Sequence, residues 1–339
     1  MDTPASIRRW ARRKALVLIP GAVNYFYNLC GRRLAETLRE LSFDVDLATL
    51  ADHPAGPYDW CVLSNISEVL FSCSDCGAGL EKLRALKKSC AVMTSTSIDC
   101  VATSWYQNIS SFCRAVGIDS ILDFCLHDQR DLLAGDARAS YHYLPAGLTT
   151  SELRALGDER GLDDGRTIPW AFVGHQTPDR TALVDYLVRN VDPRGFVYIP
   201  RLAPYKEADS PHLNQQQFEG VLRRTRYQVW SSHHHSFYME SERFRMSLLA
   251  GGVPVKVLSR PLPPGQAVPF PYLMVEEAEL AERLSSFDFQ AVRRRFRDDF
   301  RRVKALRVGL ADFLVAVSVL DRREVRALTG ERWSRARAA

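Results

Sequence analysis

The stretch Glu240-Ser-Glu-Arg-Phe-Arg-Met-Ser-Leu-Leu-Ala-Gly-Gly-Val-Pro-Val255 contains a helix, both of its ends and the start of a strand. Glu240 or Ser241 can cap the helix, and the pair Gly251-Gly252 can end it. The run 253–258 then predicts a buried strand, with its proline near the beginning, where no ladder donor is needed. Free backbone N–H groups and the helix dipole point at the loop before the helix. The stretch therefore predicts an anion site at the start of this helix.

Short apolar runs separated by helical stretches recur on both sides of this segment. Such alternation predicts βαβ units and parallel sheets. The expected strands are 15–19, 43–47, 60–63 and 90–93 in the first half, and 170–173, 196–199, 227–230 and 253–258 in the second. A charged, glycine-containing passage over 149–166 separates the halves, and 289–319 reads as one long amphipathic helix. We therefore expect domains at 1–150 and 166–320, followed by a tail or helix at 321–339.

A second informative stretch is Trp170-Ala-Phe-Val-Gly-His-Gln-Thr-Pro-Asp-Arg180. Together with 240–255 it resembles the donor-domain motifs of GT-B glycosyltransferases, and the CgeB-like group in particular. The resemblance implies an α/β fold of two Rossmann-like domains that face each other across a cleft. It also implies an enzyme that moves a sugar from a nucleotide-diphosphate donor, bound by the C-terminal domain, to an acceptor on the N-terminal side.

The residues around the helix start are the first candidates for donor binding. By the resemblance, a carboxylate of Glu240 or Glu242 binds ribose or sugar hydroxyls, with Ser241 between them. Arg243 could neutralise the diphosphate, because a guanidinium fork matches phosphate oxygens. The two glutamates lie two residues apart and cannot share one helix face. Helix capping with a surface ion pair is the alternative interpretation.

Further donor contacts are expected at Gly174, His175, Arg180 and His235. Gly174 lets the backbone approach a ligand at a strand end, while His175 and Arg180 could bind phosphate. The triplet His233-His234-His235 is not predicted to bind metal, because neighbouring side chains of an extended segment point to opposite faces. One of the three, His235, is expected to contact the donor phosphates instead.

The catalytic base of an inverting transfer should come from the N-terminal half. Asp99 follows the predicted strand 90–93 and is the preferred candidate, with His53, Glu68 and His127 as alternatives. Charge stabilisation by arginines and a helix dipole would require no metal. We therefore expect no cofactor beyond the nucleotide sugar as co-substrate, and no metal site.

Composition limits the partners and the location. The net charge of +5 is too mild to predict nucleic-acid binding. The N-terminus lacks the apolar core of a signal peptide, which predicts a cytoplasmic protein, and 38 arginines against 7 lysines suggest a bacterial source. Arginine clusters at 8–13 and 293–307 could touch anionic lipid, although a solvated basic face is the alternative.

The acceptor, whether a glycan, a protein or a metabolite, is not indicated by any residue. Two other functions fit the same motifs. An epimerase or pseudo-glycosyltransferase would bind nucleotide sugars without transfer to a hydroxyl acceptor. A non-catalytic binding protein could also retain the fold.

Overall fold

A computed structural model describes residues 13–21, 25–101, 103–118, 120–127, 140–157, 165–199, 213–232, 238–259, 261–262 and 267–329. The strands are β1 Lys14–Leu18, β2 Asp44–Ala48, β3 Tyr58–Leu63, β4 Cys90–Ser97, β5 Ser120–Asp123, β6 Cys125–His127, β7 Ser140–Tyr143, β8 Ile168–Val173, β9 Phe196–Tyr198, β10 Thr225–Ser231, β11 Tyr238–Glu240, β12 Val253–Leu258 and β13 Met274–Glu276. The helices are α1 Tyr25–Glu40, α2 Ile66–Phe71, α3 Cys76–Lys87, α4 Ser104–Val116, α5 Thr150–Gly157, α6 Pro178–Asn190, α7 Gln215–Arg224, α8 Ser241–Leu249, α9 Leu280–Ser286, α10 Phe289–Phe300, α11 Leu306–Ala316 and α12 Arg322–Thr329.

Two parallel sheets organise these elements. The first sheet has the order β2-β1-β3-β4-β5-β7, and the second has the order β13-β12-β10-β8-β9. Strands β1, β3 and β12 are buried along most of their length because helices cover the sheets, and they therefore read as nearly continuous apolar runs, whereas the edge strands β2 and β9 are partly exposed. The alternation in the sequence correctly predicted this arrangement, including the strands at 60–63, 90–93, 170–173 and 253–258.

A short antiparallel ribbon, β6 with β11, joins the two halves. Tyr238 pairs with His127, and Glu240 pairs with Cys125. Because β11 leads directly into α8, the ribbon places the beginning of α8 beside the first half. The candidate functional residues around 240–243 therefore lie where the two halves meet.

The chain returns to the first half at its C-terminal end. Phe296 and Phe300 of α10 pack in the core of the second sheet, whereas Leu306 and Leu310 of α11 pack in the core of the first. The expected single helix over 289–319 is therefore wrong, because the chain must bend between α10 and α11 to reach both cores. Residues 306–320, assigned from the sequence to the second domain, pack on the first sheet.

The segment with which the chain returns to the first half, just before α11, packs closely against the backbone of Gly147. A Cβ atom at this position would lie 2.2 Å from the Lys304 carbonyl oxygen and 2.7 Å from the Leu306 nitrogen. Only a residue without a side chain fits between these backbone atoms. The glycine thus fixes how closely the segment before α5 approaches the segment before α11.

We expect Gly147→Ala to lower the free energy of unfolding by about 1–3 kcal/mol, the usual cost of overpacking. Urea denaturation followed by circular dichroism would measure the change. Gly165→Ala is the matched control, since a Cβ there would meet no atom within 4 Å. A Gly147→Ala protein as stable as this control would contradict this close packing.

Candidate functional site

The second sheet has a topological switch point between β8 and β10. The chain leaves β8 towards β9 on one side, and β10 then pairs with β8 on the other side. Ligand crevices of open parallel α/β sheets lie at such points, outside the carboxyl ends of the strands. Gly174 follows β8 and Ser231 ends β10, so both lie at this crevice.

Gly174 leaves room for two guanidinium groups. A Cβ atom on Gly174 would lie 2.9 Å from Arg180 Nη1 and 3.6 Å from Arg243 Nη2. The backbone of the next residue also contacts Arg180: the His175 carbonyl oxygen accepts a hydrogen bond from Arg180 Nη1 at 3.1 Å. The structure thus brings together four of the predicted residues: Gly174, His175, Arg180 and Arg243.

Arg180 is buried in the first turn of α6, where Thr177 caps the helix. Its Nε and Nη2 groups donate to the Ser231 carbonyl oxygen, at 3.1 and 2.7 Å. Burial, and then the charge of Arg243, lower the pKa of Arg180 to about 10. The guanidinium is therefore still charged at neutral pH, and it lies beneath the crevice.

Glu240 occupies the N-cap position of α8, but its side chain makes no capping hydrogen bond. Instead, Oε2 accepts from Lys256 Nζ at 2.5 Å and from Trp230 Nε1 at 3.2 Å. Burial raises the pKa of Glu240, but Lys256 and Arg243 outweigh this effect and lower it to about 2. The carboxylate is therefore ionised, and the expectation that its side chain caps the helix is wrong.

Ser241 likewise does not cap α8. Its Oγ donates to the Phe124 carbonyl oxygen and accepts from the Ala146 backbone nitrogen at 3.2 Å. Both partners belong to the first half of the chain. Ser241 therefore ties the start of α8 to the first half.

The C-terminal end of α8 follows the prediction. Gly251 has a φ of 70°, and the backbone N–H groups of Gly251 and Gly252 donate to the carbonyl oxygens of Leu248 and Ser247, as in a Schellman motif.

Lys256 belongs to the site but was missed in the sequence. It lies in β12, only 1% exposed, with Nζ 2.9 Å from Ser232 Oγ and 5.0 Å from the centroid of the Tyr238 ring. Burial lowers its pKa, against the opposing effect of Glu240. A lysine inside an otherwise apolar strand was the available signal, because buried lysines are rare and paired.

Among the described residues at the crevice, positive charges outnumber negative ones. Three cationic groups, Arg180, Arg243 and Lys256, face one carboxylate, Glu240. Arg243 donates to the Val173 carbonyl oxygen at 2.8 Å, and its Nε lies 3.9 Å from Glu240 Oε1. Its side chain retains 24% of its exposure, so it can contact a ligand directly. The arrangement favours a bound anion, and the N-terminus of α8 adds its dipole in the same place.

Glu242 has a different environment from the one expected. Arg33 of α1 donates to its Oε1, and Arg245 Nε donates to its Oε2 at 2.7 Å. Both arginines also contact Glu152 of α5, with Arg33 Nε at 3.0 Å and Arg245 Nη1 at 2.6 Å from its Oε1. These four residues, the interdomain ion cluster, join the two halves. The Glu242 carboxylate, 2% exposed, therefore faces protein cations rather than the crevice.

His235 lies outside the described residues. Among the residues that the structure describes, no group of three or more His, Cys, Asp or Glu side chains could hold a metal ion. His53 lies away from the switch point, in a groove with Leu86 and Lys82.

The carboxyl edge of the first sheet carries titratable side chains. Asp99 follows β4, is partly buried, and accepts from Asn65 Nδ2 at 3.3 Å. Burial, followed by the charges of Asp123 and Glu68, raises the pKa of Asp99 to about 7. Burial also raises the pKa of Glu68 to about 7. A carboxylate that titrates near neutral pH is suited to accept a proton from a substrate.

His127 connects this edge with the second half. Its Nε2 lies 3.2 Å from Asp123 Oδ2, and its ring stacks on Tyr238 of β11 with centroids 6.0 Å apart. Burial lowers the pKa of His127, but Asp123 outweighs this and raises it to about 9. The ring of Tyr238 also makes a cation–π contact with Lys256. The β6–β11 ribbon therefore lies between the acidic edge of the first sheet and the cationic crevice of the second.

No helix in the described part of the chain is long and apolar enough to cross a membrane. No protein-family model matches the sequence, and the search of curated proteins gave no match.

Comparison with solved structures does identify the fold. The chain matches Anabaena HepE, crystallised in complex with UDP and glucose, with a TM-score of 0.53 and 12% identity over 91% of this chain and 100% of HepE. An α1,3-fucosyltransferase matches with a TM-score of 0.43 and 11% identity over 94% of this chain and 95% of that one. SnogD from Streptomyces nogalater gives 0.34 and 12% identity over 91% and 100%. These last two scores are too low to support an argument.

The similarity to HepE, covering both chains almost completely, accords with the two parallel sheets described above. It confirms the predicted fold class, two Rossmann-like domains in the GT-B arrangement. The finer resemblance to the CgeB-like group stays a prediction. The chain has the GT-B fold.

Proposed function

We propose that this protein is a glycosyltransferase that moves a sugar from a nucleotide-diphosphate donor to a hydroxyl group of an acceptor. The observation that carries the proposal is the excess of cationic groups at the switch point of the second sheet. Arg243 is the exposed member, and Arg180 and Lys256 supply charge from beneath it. A diphosphate matches this arrangement in charge and in hydrogen-bonding capacity.

The proposed chemistry uses both halves of the molecule. Asp99 accepts the proton of the acceptor hydroxyl, and the oxygen attacks the anomeric carbon of the donor sugar. The bond from that carbon to the diphosphate oxygen breaks, and the electron pair leaves with the nucleoside diphosphate. Arg243, Arg180 and the α8 dipole stabilise the charge that develops on this leaving group. Because protein cations serve this role, we propose that the transfer is independent of a metal.

Nucleotide binding is the first test. UDP, GDP, dTDP and CMP would each be added in EDTA and in Mg²⁺, and thermal unfolding recorded. A ligand at 100 times its Kd stabilises the folded state by about 2.7 kcal/mol. HepE was crystallised with UDP, so UDP is the first ligand to try. A shift that requires Mg²⁺ would refute metal independence, and no shift with any nucleotide would refute the donor site.

We expect Arg243→Ala to remove most of the nucleotide-induced shift, because it deletes the exposed cation of the crevice. The loss should be at least tenfold in Kd, since hydrogen bonds to charged groups contribute about 1.5–3 kcal/mol. Titration calorimetry would measure it. Arg189→Ala is the matched control, because Arg189 is an exposed, ion-paired arginine of α6. Equal affinities of the two variants would place the diphosphate elsewhere.

Turnover separates the proposal from the remaining alternatives. Donor consumption with release of nucleoside diphosphate, measured against candidate acceptors or water, is expected of a glycosyltransferase. Tight nucleotide binding without any donor consumption would instead favour a non-catalytic binding protein. Conversion of the donor sugar without loss of the nucleotide would favour an epimerase.

A further inference from the structure

A groove of about 490 Å³ lies beside the β6–β11 ribbon, on the side opposite to His127. In β6, Cys125 and His127 are buried, whereas the intervening Leu126 is partly exposed and lines this groove. The volume lies within the range of small-ligand pockets, about 300–1,000 Å³. The groove is therefore separate from the proposed donor site.

One wall of the groove is apolar and rigid. It is formed by Leu126, Tyr143, Pro145 and Phe270, with Pro269 and Pro271 in the connection before β13. Prolines fix the backbone φ angle, so this wall is pre-formed and requires little ordering when a ligand binds. Such a wall favours an apolar chain.

The opposite wall is cationic. Arg295 lies over the ring of Tyr272, 3.7 Å from its centroid, and Arg302 lies just beyond the end of α10 at Phe300. One carboxylate holds both: Asp299 lies 3.7 Å from Arg295 Nε and 3.3 Å from Arg302 Nη1, and it accepts from the Tyr272 hydroxyl at 2.9 Å. Lys304, also in the wall, is ion-paired with Asp312. Among the described residues that line the groove, two guanidinium groups thus share a single carboxylate, which leaves one positive charge uncompensated.

The surrounding surface strengthens this charge. Residues 293–307 contain eight basic and two acidic side chains, a net charge of +6, whereas the whole protein has +5. The rest of the chain is thus close to neutral. The guanidinium groups at the groove are also accessible, with side-chain exposures of 63% for Arg295 and 82% for Arg302.

From this pairing of an apolar wall with a cationic edge we infer that the groove binds a single-chain anionic amphiphile. The alkyl chain lies along Leu126 and Pro269, and the phosphate or carboxylate head binds Arg295 and Arg302. The inference does not depend on the proposed transfer activity, because it uses no residue of the donor crevice.

The test is calorimetric titration of the full-length protein with octyl and decyl phosphate, each below its micellar concentration. Two additional buried methylenes should tighten binding roughly tenfold, a result that needs no variant. Inorganic phosphate should bind far more weakly. Equal affinities for the two alkyl phosphates, or for alkyl and inorganic phosphate, would overturn the inference.

Variants then locate the site. The double variant Arg295→Gln/Arg302→Gln should weaken decyl phosphate binding at least tenfold, whereas Arg294→Gln, an exposed residue of the same helix outside the groove, should not. Equal losses in both proteins would indicate diffuse charge attraction instead. Binding to phosphatidylglycerol vesicles without binding to decyl phosphate would assign the surface to a membrane and also refute the groove. Denaturation midpoints would verify that the variants are folded.

Discussion

Asp99→Asn is expected to lower kcat by about 10²- to 10⁴-fold, the usual contribution of a positioned general base. The amide keeps the size of the side chain but cannot accept a proton from the acceptor. Donor binding should be unchanged, because Asp99 lies at the edge of the first sheet and the cationic crevice belongs to the second. The two quantities, kcat for transfer and Kd for the nucleoside diphosphate, would be measured on the same preparation.

The pH dependence of kcat provides a second test of Asp99 as the catalytic base. The pKa of Asp99 is raised to about 7 by burial and by the neighbouring Asp123 and Glu68. A base must be deprotonated to act, so kcat should rise as the pH increases through about 7 and level off above it. In Asp99→Asn this rise should disappear from the residual rate.

Glu68 provides the matched control, because burial raises its pKa to a similar value, about 7. We expect Glu68→Gln to keep most of its activity and a pH-dependent rate. A Glu68→Gln protein that loses activity while Asp99→Asn retains it would move the base to Glu68. Retained activity in both would refute Asp99 and Glu68 as the base.

The second large effect concerns stability rather than activity. Glu242→Ala is expected to lower the free energy of unfolding by about 3–5 kcal/mol, because it leaves Arg33 and Arg245 buried with Glu152 as their remaining carboxylate in the cluster. Breaking one partner of a buried ion pair is costly for this reason, even where the intact pair contributes little. Guanidinium denaturation followed by circular dichroism would measure the change.

An exposed pair of the same chemistry serves as the reference. Asp185 and Arg189 form an ion pair on the surface of α6, with side-chain exposures of 59% and 73%. Asp185→Ala should cost less than about 1 kcal/mol. If Glu242→Ala cost no more than this reference, the interdomain ion cluster would not hold the halves together. If it instead abolished nucleotide binding at full stability, the original expectation of a donor contact would be restored.

The sequence indicates the fold better than the site because the two depend on different separations along the chain. Strand and helix alternation is a local pattern, and Gly251-Gly252 carries its own helix-ending geometry. The bend between α10 and α11 was missed because no glycine or proline marks it; two separate cores impose it. A local sequence pattern does not distinguish one long helix that packs on a single core from two shorter helices that pack on different cores.

The site residues divide in the same way. Gly174 and Arg180 are close in sequence, and their proximity could be predicted from one strand–helix turn. Arg33 pairs with Glu242 over 209 positions, and no local pattern contains that contact. Because both glutamates lie at the start of one helix, only the tertiary structure shows that Glu240 faces the crevice and Glu242 faces α1.

The return of the chain to the first sheet also affects how the protein is made. Roughly 290 residues separate β1 from its core partner α11. At a synthesis rate of about 5–20 residues per second, β1 leaves the ribosome roughly 15–60 s before α11 exists. During that interval the face of the first sheet that packs against both α1 and α11 lacks α11, while the second domain emerges complete with its own core. Nascent chains of this protein should therefore depend on chaperones most strongly before residue 306 is synthesised, and the second domain should mature before the first.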